Sequence, residues 1–132
     1  MPHTWRDRPT ILREVTPNFD WDLKKVRALQ LPVRRLRLVD LLWHFDLPFW
    51  EREGTDDWNL TVWEVFRDPH GERSHYSRVW GADLRYPIDV VWWNGRYRVL
   101  DGLHRLAKAY LTGAGTIRAR VVPPEMFARI LH

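Results

Sequence analysis

The stretch that decides the fold is "VLDGLHRLAKAYLTGAG", residues 99–115. A run of strand-forming residues stops at Asp101-Gly102, and a helical pattern begins at once. Leu103, Leu106, Ala107 and Tyr110 recur at the spacing of one helix face and are expected to meet a core. Gly113 and Gly115 supply the stop. The first turn of this helix carries His104 and Arg105, with Lys108 one turn beyond His104. Cations at a helix start are electrostatically unfavourable unless an anion sits beside them. Either that first turn receives an anion on its unpaired N–H groups, or Asp101 simply caps it.

Immediately upstream, "YPIDVVWWNGRYRVL" (86–100) predicts a hairpin. Two β-rich runs flank Asn94-Gly95, the pair that suits a two-residue turn with positive φ at both positions. Downstream, "TIRARVV" (116–122) predicts a last strand, with Ile117, Ala119 and Val121 on one face and Arg118 and Arg120 on the other. A strand, a crossover helix and a strand wind right-handed where the two strands are parallel. "PPEMFARILH" (123–132) closes the chain with a short helix.

The first half of the chain is less regular. Pro2, Pro9 and Pro17 interrupt residues 1–18, which are expected to be poorly ordered, leaving 19–132 as one domain. "NFDWDLKKVRALQ" (18–30) predicts a short helix capped by Asn18 or Asp20 and ended by Pro32. "VRRLRLVDLLW" (33–43) predicts a strand, and "HFDLPFWEREGTDDWN" (44–59) a loop. Thr61 and Glu64 form a capping box for a helix that Pro69 stops, and "ERSHYSRVWGAD" (72–83) predicts another helix ending near Gly81. The fold class is therefore α+β: a single domain with a small mixed sheet, an Asn-Gly hairpin and packed short helices.

Composition narrows the chemistry. The 132 residues include no cysteine, which excludes disulfides, thiolate metal sites and cysteine nucleophiles. No apolar run approaches the ~20 residues of a membrane span, and "MPHTWRDRPT" lacks an apolar signal core. A cytoplasmic protein with no membrane partner is expected. The net charge of +4 comes from arginine more than lysine and permits phosphorylated partners. The six histidines have neither H-x-x-x-H nor H-E-x-x-H spacing, and there is no Walker A loop, dinucleotide fingerprint or G-x-S-x-G. The basic run Arg34, Arg35 and Arg37 reads as a solvated strand face or a nucleic-acid contact. "WWNGRYR" (92–98) offers aromatic rings for base stacking, though the hairpin explains its polar residues equally well.

The segment "YRVLDGLHRLAKAYLTGAGTIRARVV" (97–122) resembles the ParB/sulfiredoxin-like superfamily. That family shares a strand, a D-G-x-H-R turn, a helix with R-x-x-A, a glycine and a further strand. The firm match covers about a quarter of the chain. The wider pattern, with "DLPFW" (46–50) and "YPIDV" (86–90), is similar to a set of small bacterial proteins. The resemblance implies nucleotide binding, with the phosphates at the helix start. Asp101, Gly102, Leu103, His104, Arg105 and Lys108 are then the expected phosphate-binding set. Sulfiredoxin activity is excluded, since Leu103 occupies the position of its catalytic cysteine. The free-serine kinases of the superfamily carry D-G-H-H-R, which this chain keeps except at Leu103, and they imply a small-molecule phosphotransferase. On that reading Asp101 helps to place a magnesium ion that accompanies a nucleoside triphosphate, and a carboxylate serves as base toward a small-molecule acceptor. Asp46 and Asp83 are the first candidates, ahead of Glu51 and Asp89, and Trp50 lines the substrate pocket. Two other readings stand beside it: a non-catalytic nucleotide sensor acting on a protein partner, and a DNA-associated protein. The 132 residues contain no helix-turn-helix, so no sequence-specific DNA binding is expected.

Overall fold

Asn94 at φ 50° and Gly95 at φ 82° reverse the chain between β2 (Ile88–Trp93) and β3 (Arg96–Asp101). A computed structural model describes residues 7–55 and 57–132, and in it the predicted hairpin forms with Trp93 opposite Arg96 and Val90 opposite Val99. A bulge at Asp89/Val90 then brings Asp89 opposite Asp101. β1 (Arg34–Arg37) and β4 (Thr116–Val121) complete a four-stranded mixed sheet of order β1-β4-β2-β3. β4 runs antiparallel to β1 and parallel to β2. The parallel pair is therefore β2 with β4, and β3 runs opposite to β4 on the far side of β2. The crossover between the parallel strands consists of β3 and helix α5 (Leu103–Leu111) together.

Alternation along the strands sends side chains to two covered faces. Ile88, Val90, Val99, Ile117 and Ala119 meet Leu106 and Ala107 of α5, with Val65 of α3 (Val62–Arg67) and Val79 of α4 (Arg73–Gly81). Val91, Leu100 and Val122 face the other way, toward Val26 of α2 (Leu23–Ala28) and Ile130. The molecule is thus one small α+β domain. Among the described residues no helix is long and apolar enough to cross a membrane.

Several local expectations are corrected. The cap of α2 is Asp22, not Asn18 or Asp20: its carboxylate accepts from Lys24 N at 2.8 Å and Lys25 N at 3.4 Å. The strand expected over 33–43 ends at Arg37. The chain then winds through 3-10 turns at Leu38–Asp40 and Leu42–Asp46. Leu38, Leu41 and Phe45 are buried there at helical rather than strand spacing. Residues 1–6 of the expected irregular N-terminal segment lie outside the described residues. Over 7–18 the chain forms a one-turn helix, α1 (Thr10–Arg13), and buries Leu12 and Thr16.

The capping box of α3 forms as predicted. Glu64 N donates to Thr61 Oγ1 at 3.1 Å, and Thr61 N donates to Glu64 Oε1 at 3.0 Å. Thr61→Ala is expected to cost about 1 kcal/mol, or roughly 4 °C in Tm, by freeing one of these donors. Thermal denaturation checks this, and an unchanged midpoint would show that the cap contributes nothing.

Candidate functional site

The bend that ends β3 also starts α5. Gly102 holds φ 114° and serves as the N-cap residue, so no side chain caps the helix. The first helical bond runs from Leu106 N to Gly102 O at 3.0 Å, which leaves the amides of Leu103, His104 and Arg105 ahead of it. Glycine is required for space as well as for φ. A Cβ at position 102 would lie 2.6 Å from Ile88 Cγ2 on the neighbouring strand.

This helix start opens into a cavity of about 1010 Å³ between α4, α5 and the end of the hairpin. Asp101, Gly102, His104 and Arg105 line it, and Asp83 joins them from the far side. Leu103, Lys108, Asp46 and Trp50 do not line it. Leu103 packs on the core. Lys108 Nζ donates to Trp80 O at 2.9 Å and Ala82 O at 2.7 Å, closing the end of α4 rather than facing an anion. Asp46 accepts from Trp63 Nε1 at 2.8 Å. Trp50 is only 5% exposed and sits behind His104.

Asp101 is the last residue of β3, not the helix cap. Its Oδ2 takes Arg27 Nε at 3.1 Å and Arg105 Nη2 at 3.3 Å. Arg105 is held further by Pro87 O at 2.7 Å and Tyr86 O at 3.3 Å. Arg120 is committed in the same way, to Asp89 Oδ1 at 2.7 Å and to the carbonyls of Leu29 and Val26. Of the cavity's four guanidinium groups, Arg78 alone has no hydrogen bond or ion pair within the described residues. Sequence reasoning assigned the anion contact to Arg105. The structure makes Arg105 a brace and Arg78, from α4, the available cation.

The carboxylates are likewise occupied. Asp83 is bound by Arg85 through Nε and Nη2, and these hydrogen bonds push its pKa down to about 2. Burial raises the pKa of Asp89, against the pull of Arg120. Asp83, Asp89 and Asp101 each carry a guanidinium partner, and among the described residues no group of three or more His, Asp or Glu is arranged to hold a metal ion. Asp101, the residue expected to help place a magnesium ion, is already engaged by two guanidinium groups in this structure.

A histidine marked by no motif stands behind the site. His75 on α4 is 4% exposed, and its Nδ1 lies 3.1 Å from His104 Nε2. Its other nitrogen, Nε2, lies 2.8 Å from Glu51 O. The two imidazoles are nearly coplanar, at 10°, and the Trp50 indole stacks on both, with centroids at 4.7 Å and 4.4 Å. Burial, then the charge of Arg78 and the neighbouring His75, pushes the His104 pKa down to about 3. His104 is neutral at physiological pH, so it is not the cationic phosphate donor that the sequence suggested. Elsewhere, the basic face of β1 is exposed at Arg34, Arg35 and Arg37, with Arg37 paired to Asp40.

Comparison with protein-family models, curated proteins and solved structures returns no match.

Proposed function

We propose that this chain is a nucleotide-binding domain of the ParB/sulfiredoxin-like type, which receives phosphates at the start of α5. The observation that carries the reading is the convergence, in one cavity, of an uncapped helix start with an unpartnered Arg78. Amides at a helix start point at an incoming anion, and the helix dipole favours it. Arg78 adds a charge-assisted, bidentate donor. The volume of about 1010 Å³ suits a ligand of nucleotide size. Tyr86 on the rim, 64% exposed, offers a ring for the base.

Binding without phosphoryl transfer is favoured over the kinase reading. A phosphotransferase needs a carboxylate to orient or deprotonate the acceptor. Asp83, the one of the two catalytic candidates on the cavity, is a poor proton acceptor with its pKa at about 2. Asp46 is bonded to Trp63. A module that binds nucleotide without turning it over needs no such base, and acting on a protein partner is the role that reading leaves for it.

Calorimetry with ATP, CTP and GTP tests the reading. Arg78→Ala is expected to weaken binding about ten- to hundred-fold while leaving Tm unchanged, because its guanidinium holds nothing in the fold. Arg105→Ala should lower both affinity and Tm. Equal affinity of wild type and Arg78→Ala would place the anion elsewhere. Product analysis with small hydroxyl acceptors should find no transfer, and turnover would restore the kinase reading.

A further inference from the structure

The hydrogen bonds of the histidine pair fix which nitrogen carries which proton. Glu51 O can only accept, so His75 Nε2 must carry the hydrogen of their 2.8 Å bond. In a neutral imidazole the other nitrogen is then an acceptor. His75 Nδ1 therefore accepts, and His104 Nε2 is the donor across the 3.1 Å contact. That leaves the lone pair of His104 on Nδ1. This atom makes no bond within the described residues, and His104 is one of the residues that line the cavity. Trp50 stacks on both rings and holds them in one plane, and a ring flipped within that plane would lose the 3.1 Å and 2.8 Å contacts.

From this we infer that His104 Nδ1 is a fixed hydrogen-bond acceptor that selects ligands carrying a hydroxyl beside the phosphate. The inference rests on the nucleotide-binding reading above and deepens it. The first-turn amides and Arg78 are all donors and suit the phosphate. His104 sits among them as an acceptor, and a phosphate oxygen placed on it would meet lone pair against lone pair. A hydroxyl donor satisfies it. The ribose of a nucleotide offers two such hydroxyls, and a deoxyribose lacks one of them. His75 and Trp50 are positioning residues: neither lines the cavity, and each acts through the His104 ring. A ligand without the hydroxyl leaves a partly buried acceptor unpaired, which is where discrimination by hydrogen bonding is strongest.

The test has two parts. Histidine ¹⁵N NMR on the ligand-free wild type reads the tautomer directly: His104 should be protonated on Nε2 and bare on Nδ1. Calorimetry then compares ATP with 2′-deoxy-ATP and 3′-deoxy-ATP. One of the deoxy forms should bind about ten-fold more weakly than ATP. His75→Phe keeps a ring against Trp50 but removes the acceptor of the His104 proton. It should erase that preference while ATP itself still binds. A proton on His104 Nδ1, or equal affinities for all three ligands in wild type, would overturn the inference and leave the phosphate site intact. Failure of wild type to bind any of the three would bring down the nucleotide reading, and this inference with it.

Discussion

Lowering the pH from 7 to 4 is expected to strip this protein of much of its stability, in a loss that begins above the range where carboxylates ordinarily titrate. His44 is fully buried, and both ring nitrogens are engaged in the neutral form. Nδ1 donates to Leu41 O at 2.7 Å, and Nε2 accepts from Val99 N at 2.9 Å. Burial, followed by the charge of Arg98, pushes its pKa down to about 3, and His104 is pushed to about 3 as well. In the unfolded chain both histidines titrate near their ordinary value of about 6.5. Between pH 6.5 and pH 3 the unfolded state therefore binds more protons than the folded state. Stability is complete above about 6.5 and falls as the pH drops toward 3. Each such group contributes about 1.4 kcal/mol per pH unit, so the pair removes about 3 kcal/mol per unit. A domain of ordinary stability, about 5–15 kcal/mol, loses much of it by pH 4. The lowered pKa of Glu64 works in the same direction further down, while the raised pKa of Asp89 opposes it. Urea titrations at pH 7, 5.5 and 4 measure the slope. His44→Phe should roughly halve it, and at pH 7 should cost about 1–3 kcal/mol because the Val99 amide loses its acceptor. A stability profile flat between pH 7 and 4 would contradict the burial of both rings.

Gly102→Val is expected to be the most damaging single change at the site. Two independent penalties meet there. A residue with a Cβ pays about 1–2 kcal/mol for a left-handed backbone. That Cβ would also lie 2.6 Å from Ile88 Cγ2 and 3.0 Å from Ile88 Cβ, on a strand in the centre of the sheet that cannot easily yield. Overpacking adds about 1–3 kcal/mol. The sum, about 2–5 kcal/mol, corresponds to a fall in Tm of roughly 10 °C or more. Nucleotide affinity should fall with it, since any relief moves the first turn of α5. Gly81→Ala is the control: a Cβ there meets nothing within 4 Å, and the change should be neutral or slightly stabilising. Pairing Gly102→Ala with Ile88→Ala separates the two penalties, because only the steric one is relieved. Equal Tm values for wild type and Gly102→Val would mean that the turn is not held against β2.

Where one local rule was enough, the fold could be read from the sequence. Asn94-Gly95 has few alternatives to a tight hairpin, and Thr61 with Glu64 closes a box without help from distant residues. The short β1 was not legible, because Leu38, Leu41 and Phe45 take helical spacing only once a core exists on that side. The site divides in the same way. Asp101, Gly102, His104 and Arg105 are neighbours in sequence and do share the cavity. Arg105 and Arg78 are chemically identical side chains, and only their surroundings, Asp101 with the carbonyls of Tyr86 and Pro87, decide that one is a brace and the other is available. His75 stands 29 positions from His104, and no periodicity links them. Asp46 was a candidate base in the loop expected over 44–59, but a single indole N–H accounts for its place.

The strand order has a consequence for how the chain is made. β4 occupies an inner position of the sheet, between β1 and β2, and it is the last strand to be synthesised. Arg35 and Thr116, which meet across β1 and β4, are 81 residues apart in the chain. On the ribosome β1 therefore emerges with no strand to join, and only the β2–β3 hairpin can close locally. The sheet becomes continuous only with β4 in place between β1 and β2, and its pairing with β1 carries the loop-closure entropy of a long intervening chain. Until then Leu36 of β1 and the apolar residues Ile88 and Val90 of β2 lack the strand that joins them in the core.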